Sequence, residues 1–237
     1  MTTTPTIPRP RTPSASRHNS PPRAASVLAV TARPGQESAD LGGLLYAFRR
    51  AGASLSLLSL TRGEAAGQNS GSARLEAVRP WETQLAASIL GIRSIAVANY
   101  RDGALPVYPT ADLAERIGRA IRERSADMVL VVAPEAGDRA DAAVARAAAE
   151  AAAAAGVPAI AHTRPGTPGA KTLDLGADTE TARAIQKSAA AAHASQSDAL
   201  PAIIRRLDLL GGGETLGWLQ LPRRIPAPRD DQALVTA

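Results

Sequence analysis

Four short apolar runs of β-forming residues, Ser26–Ala32, Ala53–Leu60, Ser94–Ala98 and Asp127–Ala133, are each separated by enough chain for a helix. Between the first two, Leu41, Leu44, Leu45 and Phe48 recur at helical spacing from Ser38 onward, and Gly52 stops the pattern. Helices are expected over about 74–90, where Pro80 marks a kink or a fresh start, over about 111–124, and from Asp138 to Ala155 ahead of Gly156. Strand alternating with helix predicts an α/β fold, a Rossmann-like three-layer sandwich around a mainly parallel sheet with right-handed crossovers. The Val-rich fourth run reads as a strand buried on both faces.

The last third is less regular. Pro158–Ala161 and Thr172–Leu175 read as edge strands, followed by helices over about 178–193 and 199–210 and a Gly211–Gly213 break. Residues 1–25 are rich in Pro, Ser, Thr and Arg and cannot repay the entropy of ordering, so a disordered basic tail is expected there. Residues 26–222 are expected as one domain and 223–237 as a flexible tail. The formal charge of +5 includes Arg9, Arg11, Arg17 and Arg23 of that tail; setting those four aside leaves +1, which argues against nucleic acid as a partner.

With no cysteine, disulfides and thiolate sites are excluded. No apolar run approaches the ~20 residues needed to span a bilayer, so no membrane partner is expected. Basic residues ahead of Ala24–Ala32 imitate a short secretory signal, but the helical pattern that follows directly fits a buried first strand behind a tail, and a cytoplasmic protein is expected. Only six aromatics are present, so the core must be built from Ala, Val, Leu and Ile.

The first run ends in Arg33-Pro-Gly-Gln36-Glu37. In an open α/β sheet ligands sit outside the carboxyl ends of the strands, which makes this corner the first candidate site. It lacks the G-x-G-x-x-G of a dinucleotide site, and the Gly-Lys-Ser/Thr phosphate loop is absent from the chain. The polar, glycine-rich Thr61–Ser72 loop after the second run is a further candidate.

Five short motifs in order resemble the LmbE/PIG-L family, zinc-dependent de-N-acetylases of N-acetylglucosamine conjugates. Ala32–Glu37 resembles the family's A-H-P-D-D-E, and Leu60–Glu64 its L-T-x-G-E. Arg79, Glu82 and Leu90-Gly91 resemble R-x-x-E with a following L-G; Tyr100, Asp102-Gly103 and Leu105 follow the third strand as in the family; Ala192–Gln196 resembles A-H-x-S-Q. The resemblance covers about residues 26–200 and implies an LmbE-like fold.

It also implies where a zinc site would lie. The metal-holding positions fall on Arg33, Gln36 and Asp141 and the general base on Gly35, the family's H-P-D-H segment being Asp138-Arg139-Ala140-Asp141. A catalytic zinc needs about three imidazole or carboxylate ligands and an open position. Arg33 presents donors only, Gln36 one neutral oxygen, and Gly35 nothing. Two of the three histidines, His18 and His162, lie outside the motifs, so zinc is expected to be absent and no other cofactor is implied. The guanidinium of Arg33 is expected to replace the metal's charge and pair with Asp141, with Glu37 or Asp138 nearby.

The retained Glu37, Glu64, Arg79, Asp102 and His193 fit either ligand contacts or structural braces. Trp81 and Trp218 are read as core or interface anchors. Three functions stay open: a binding or accessory protein, for example for an amino-sugar-type conjugate; an enzyme with a metal-free reaction on Arg33, Glu37, Asp141 and His193; and a hydrolase of a C–N bond such as an N-acetyl amino sugar's. A homo-oligomer is compatible with all three.

Overall fold

The computed structural model describes residues 17–18, 20–65, 73–135 and 137–219. Strands β1 (Arg17–His18), β2 (Ser26–Thr31), β3 (Ser54–Thr61), β4 (Ser94–Tyr100), β5 (Met128–Val132), β6 (Ala159–His162), β7 (Lys171–Asp174) and β8 (Gly213–Trp218) form one sheet in the order β1-β7-β8-β6-β5-β2-β3-β4. All described pairings are parallel except those of β8, which runs antiparallel to both β6 and β7.

Helices α2 (Gly42–Arg50), α3 (Ala73–Leu90) and α6 (Thr179–Ala191) cover one face of the sheet and α4 (Thr110–Glu123) and α5 (Arg139–Ala155) the other, while α1 (Gln36–Ala39) and α7 (Leu200–Leu210) flank the corner after β2. Period-two alternation sorts the strand side chains into two cores. Leu28, Val30, Leu58, Val129 and Val131 join Leu113, Ile117 and Ala147 of α4 and α5. Val27, Ala29, Leu57 and Leu130 join Leu44, Phe48 and Leu90 on the other face. The three-layer α/β sandwich with a mainly parallel sheet is therefore the observed fold. In α5 the buried Ala143, Ala147, Ala148 and Ala151 let α4 and the sheet approach closely, which is how a core with so few aromatics closes.

Several expectations change. The run over Pro158–Ala161 is not an edge: β8 inserts between β6 and β7, and the sequence reading missed it because a Gly-rich approach and six residues of mixed character carry no period-two signal. Arg17–His18, within the tail expected to lack structure, pairs with Thr172–Leu173. Pro80 lies inside α3 without ending it. The helix expected from Ser38 breaks in two after Ala39, because Gln186 Nε2 bonds Ser38 O at 2.9 Å and Arg206 Nη2 bonds Ala39 O at 2.7 Å, taking carbonyls a continuous helix would use. Trp81 is 74% exposed, so it is no core anchor. The tail over 223–237 lies outside the described residues. Among the described residues no helix is long and apolar enough to cross a membrane.

Candidate functional site

The chain runs from β2 outward to β3 and β4, then returns to the other side of β2 with β5 and β6, so the sheet reverses direction between β2 and β5. The crevice at such a reversal is where open α/β sheets bind ligands. Residues after β2 (Arg33 to Glu37) and after β5 (Asp138 to Asp141) meet there.

Gly35 has φ 99°, a left-handed conformation that favours glycine, and it turns the chain so that Gln36 points back under the corner. Gln36 Oε1 accepts from Ala32 N at 2.9 Å and from Arg33 N at 3.3 Å. Its amide nitrogen donates to both oxygens of Asp141, at 2.9 and 3.0 Å. The expected Arg33–Asp141 pair is not formed; the neutral amide has taken the carboxylate. Arg33 instead reaches Asp138 Oδ2 at 3.9 Å with its side chain 37% exposed. Asp138 also caps α5, accepting from Asp141 N at 2.9 Å.

Burial, opposed by the Gln36 bond and Arg33 and reinforced by Asp138, raises the Asp141 carboxyl to about 6. A folded-state value above the unfolded 3.8 means that the native state holds its proton longer. Stability at this group is therefore greatest below about pH 4 and declines as the pH rises through about 6. We expect Asp141→Asn to flatten this decline, leaving the variant about 2 kcal/mol less penalised at pH 7; urea unfolding at pH 4, 5, 6 and 7 checks it.

The retained family residues form a brace behind the corner. Glu37, fully buried, accepts from Gly35 N at 2.8 Å and from Ser38 Oγ at 2.9 Å, and its Oε1 lies 2.6 Å from His193 Nε2. His193 Nδ1 is buried with no hydrogen-bond partner among the described residues. Glu82 accepts from Ser195 N at 2.7 Å and from Ser195 Oγ at 2.6 Å, tying α3 to the turn after α6. A small pocket of about 190 Å³ opens over Arg33, Gln36, His193, Gln196 and Ile203.

Glu64 and Asp102 bind each other's loops: Asp102 N donates to Glu64 Oε1 at 2.8 Å and Ala65 N to Asp102 Oδ2 at 3.1 Å. Arg79 is buried behind the corner, its Nη1 3.6 Å from where a Cβ on Gly63 would lie. Within the polar loop singled out in the sequence, residues 66–72 lie outside the described residues. The structure thus unites Glu37 with His193 and Gln36 with Asp141, and joins Glu64 to Asp102 as a separate pair.

Sequence reasoning missed a second polar cluster. Glu214 on β8 is 1% exposed; Arg183 Nη1 lies 2.5 Å from its Oε1 and His162 Nε2 2.9 Å from its Oε2. Burial alone would raise this carboxyl, but His162 and Arg183 hold it below its usual range. The only sequence clue was Gly42-Gly43 at a helix start: a Cβ on Gly43 would stand 1.8 Å from Glu214 Oε1. Among the described residues no group of three or more His, Cys, Asp or Glu is placed to hold a metal ion.

The PIG-L family, described as GlcNAc-PI de-N-acetylase, matches residues 28–153. Similar solved structures include the N,N'-diacetylchitobiose deacetylase of Pyrococcus horikoshii complexed with its inhibitor MPG, with a TM-score of 0.64 and 16% identity over 82% of this chain and 84% of that one. A conserved protein of Thermus thermophilus gives 0.64 and 20% over 86% and 98%. GalB, the 4-carboxy-2-hydroxymuconate hydratase of Pseudomonas putida, gives 0.65 and 19% over 84% and 97%. At these identities the likeness shows the fold. No curated protein matches the chain in sequence.

Proposed function

The chain belongs to the PIG-L family, and from that premise we propose that it is a member without zinc-dependent hydrolysis, a binding or accessory protein holding one group of an amino-sugar-type ligand at the corner after β2. The observation that carries this reading is the Gln36–Asp141 amide–carboxylate pair with Arg33 above it. The donor set does not fit a catalytic zinc: the Arg33 guanidinium presents only N–H groups and would repel a dication, the Gln36 oxygen is engaged by two backbone amides, and Asp141 alone is too few. The pocket of about 190 Å³ is smaller than the ~300 Å³ usual for a whole small-molecule ligand, which suits one sugar substituent rather than an oligosaccharide. Arg33 and Gln196 at its rim would supply the polar contacts. The ligand on this reading is a small molecule, with neither nucleic acid nor membrane involved.

A metal-free enzyme is the second reading, favoured by one observation: Glu37 and His193 form a buried carboxylate–imidazole pair beside the pocket, with His193 Nδ1 uncommitted among the described residues. On this reading His193 would move a proton at a substrate atom in the pocket while Glu37 orients its ring.

Thermal shift with N-acetylglucosamine and glucosamine tests for the ligand, and an amine-release assay separates the readings. At a ligand concentration 100 times its dissociation constant, binding is expected to stabilise the fold by about 2.7 kcal/mol, a rise of about 5–10 °C for a domain of this size. Arg33→Ala should abolish the rise. Release of a primary amine from N-acetylated substrates that stops on chelation would overturn the non-hydrolytic reading. Turnover that survives chelation and is lost in His193→Gln would favour the second.

A further inference from the structure

A larger cleft of about 610 Å³ lies outside the carboxyl ends of β5 and β6, meeting the pocket beside His193 at Asp40. Its walls combine apolar surface from Pro134, Pro165 and Leu210 with His162, Arg164 and Arg206. Nothing in the brace behind Gln36 uses these residues.

His162 is aimed by a chain of buried charge. Its Nε2 faces inward to Glu214 Oε2 at 2.9 Å, and the other oxygen of Glu214 is held by Arg183, whose Nε bonds Gly211 O at 2.8 Å and whose Nη1 bonds Gln186 Oε1 at 2.6 Å. A buried ionic cluster of this kind is weak evidence for stability, because desolvating the charges offsets their attraction. What it does accomplish is to hold Nε2 against Glu214, leaving Nδ1 as the unengaged nitrogen of a ring that lines the cleft; among the described residues Nδ1 has no hydrogen-bond partner. When the ring is charged, Nδ1–H is a donor.

At the mouth, Arg164 clasps Glu135 with two nitrogens, and both side chains are more than half exposed. Exposed pairs contribute little, so a ligand anion can exchange with Glu135 at small cost. A guanidinium fork matches carboxylate and phosphate oxygens alike. Arg206, bonded to Asp40 at 2.7 Å, adds a second guanidinium to the wall.

We propose that this cleft is a second binding site, for a small molecule bearing a carboxylate or phosphate group, with His162 and Arg164 as its oxyanion donors and the Pro134, Pro165 and Leu210 surface taking the apolar remainder. Glu214 and Arg183 are positioning residues that orient His162. The site adjoins the corner pocket at Asp40, but its proposed donors, His162 and Arg164, line only the cleft.

The chain holds only three histidines, so ring resonances in a two-bond ¹H–¹⁵N spectrum identify each directly, with His162→Gln as the assignment control. Sodium phosphate and sodium acetate are titrated separately at ionic strength held constant with chloride. The expected result is a saturable shift of the His162 ring with at least one of the two anions, with His193 unmoved. Saturation by phosphate alone identifies a phosphate ester as the ligand class, and by acetate alone a carboxylic acid. Arg164→Ala, an exposed change that leaves the buried cluster intact, should weaken the binding at least tenfold. Asp141→Asn should leave it unchanged, which separates failure here from failure of the corner reading. A His162 shift that fails to saturate, that chloride reproduces, or that survives Arg164→Ala overturns the proposal.

Discussion

Glu214→Ala is expected to destabilise the folded chain by about 3–5 kcal/mol, because it leaves Arg183 buried and charged with its carboxylate partner gone. The loss is large since Arg183 lies almost wholly inside the protein and cannot turn to water while Gly211 O, Gly213 O and Gln186 hold it. Glu214→Gln should cost less, keeping an acceptor for Arg183 while removing the charge. Gly43→Ala attacks the same cluster from the other side, since its methyl group would stand 1.8 Å from Glu214 Oε1; a loss of at least about 2 kcal/mol is expected from overpacking and from parting the pair. Urea unfolding of the three variants gives the order, and equal stability of Glu214→Ala and the parent would show that Arg183 finds another partner.

Arg33→His, Gln36→Asp and Asp141→His together are expected to give a corner that keeps one zinc per chain through dialysis. The substitutions supply two imidazoles and a carboxylate around the point where Gln36 now bridges to Asp141, the number a zinc site with an open position requires. Gly35 is left unchanged, since φ 99° strains any residue with a Cβ and the general base is not needed to hold metal. Metal analysis and a thermal rise on adding zinc, about 2.7 kcal/mol at 100 times the dissociation constant, check the outcome. Gln36→Asp alone should lower stability near neutral pH, by setting a second carboxylate against Asp141 where an amide now donates. A triple variant with no retained zinc would mean that the backbone, as well as the ligands, has moved away from a metal-binding shape.

Much of this fold was legible in the chain. The runs at Ser26, Ala53, Ser94 and Asp127 are short, apolar and spaced by helix-length segments, and a parallel sheet covered on both faces is the arrangement that buries such runs. Gly52 and Gly156 stop helices where the sequence places them, the latter with φ 69°. That Arg33, Gly35 and Gln36 carry neither imidazole nor carboxylate is equally readable, being a matter of which atoms each side chain has.

Partnership was not readable, and β8 shows why. Its residues follow a glycine-rich stretch and lack a strand's alternation; only the slot between β6 and β7 makes them a strand. The same holds for the charges. The family resemblance places Arg33 and Asp141 at one corner, but whether the guanidinium or the Gln36 amide takes the carboxylate depends on a reach of a few ångströms, set by the turn at Gly35 and the start of α5. Sequence determined the sheet and its layers, because periodicity is a local property. The Gln36–Asp141 bond, the Glu82–Ser195 tie and the burial of Glu214 beneath His162 were decided by tertiary structure alone, since hydrogen bonds and burial join residues about 50 to 110 positions apart by distance in space.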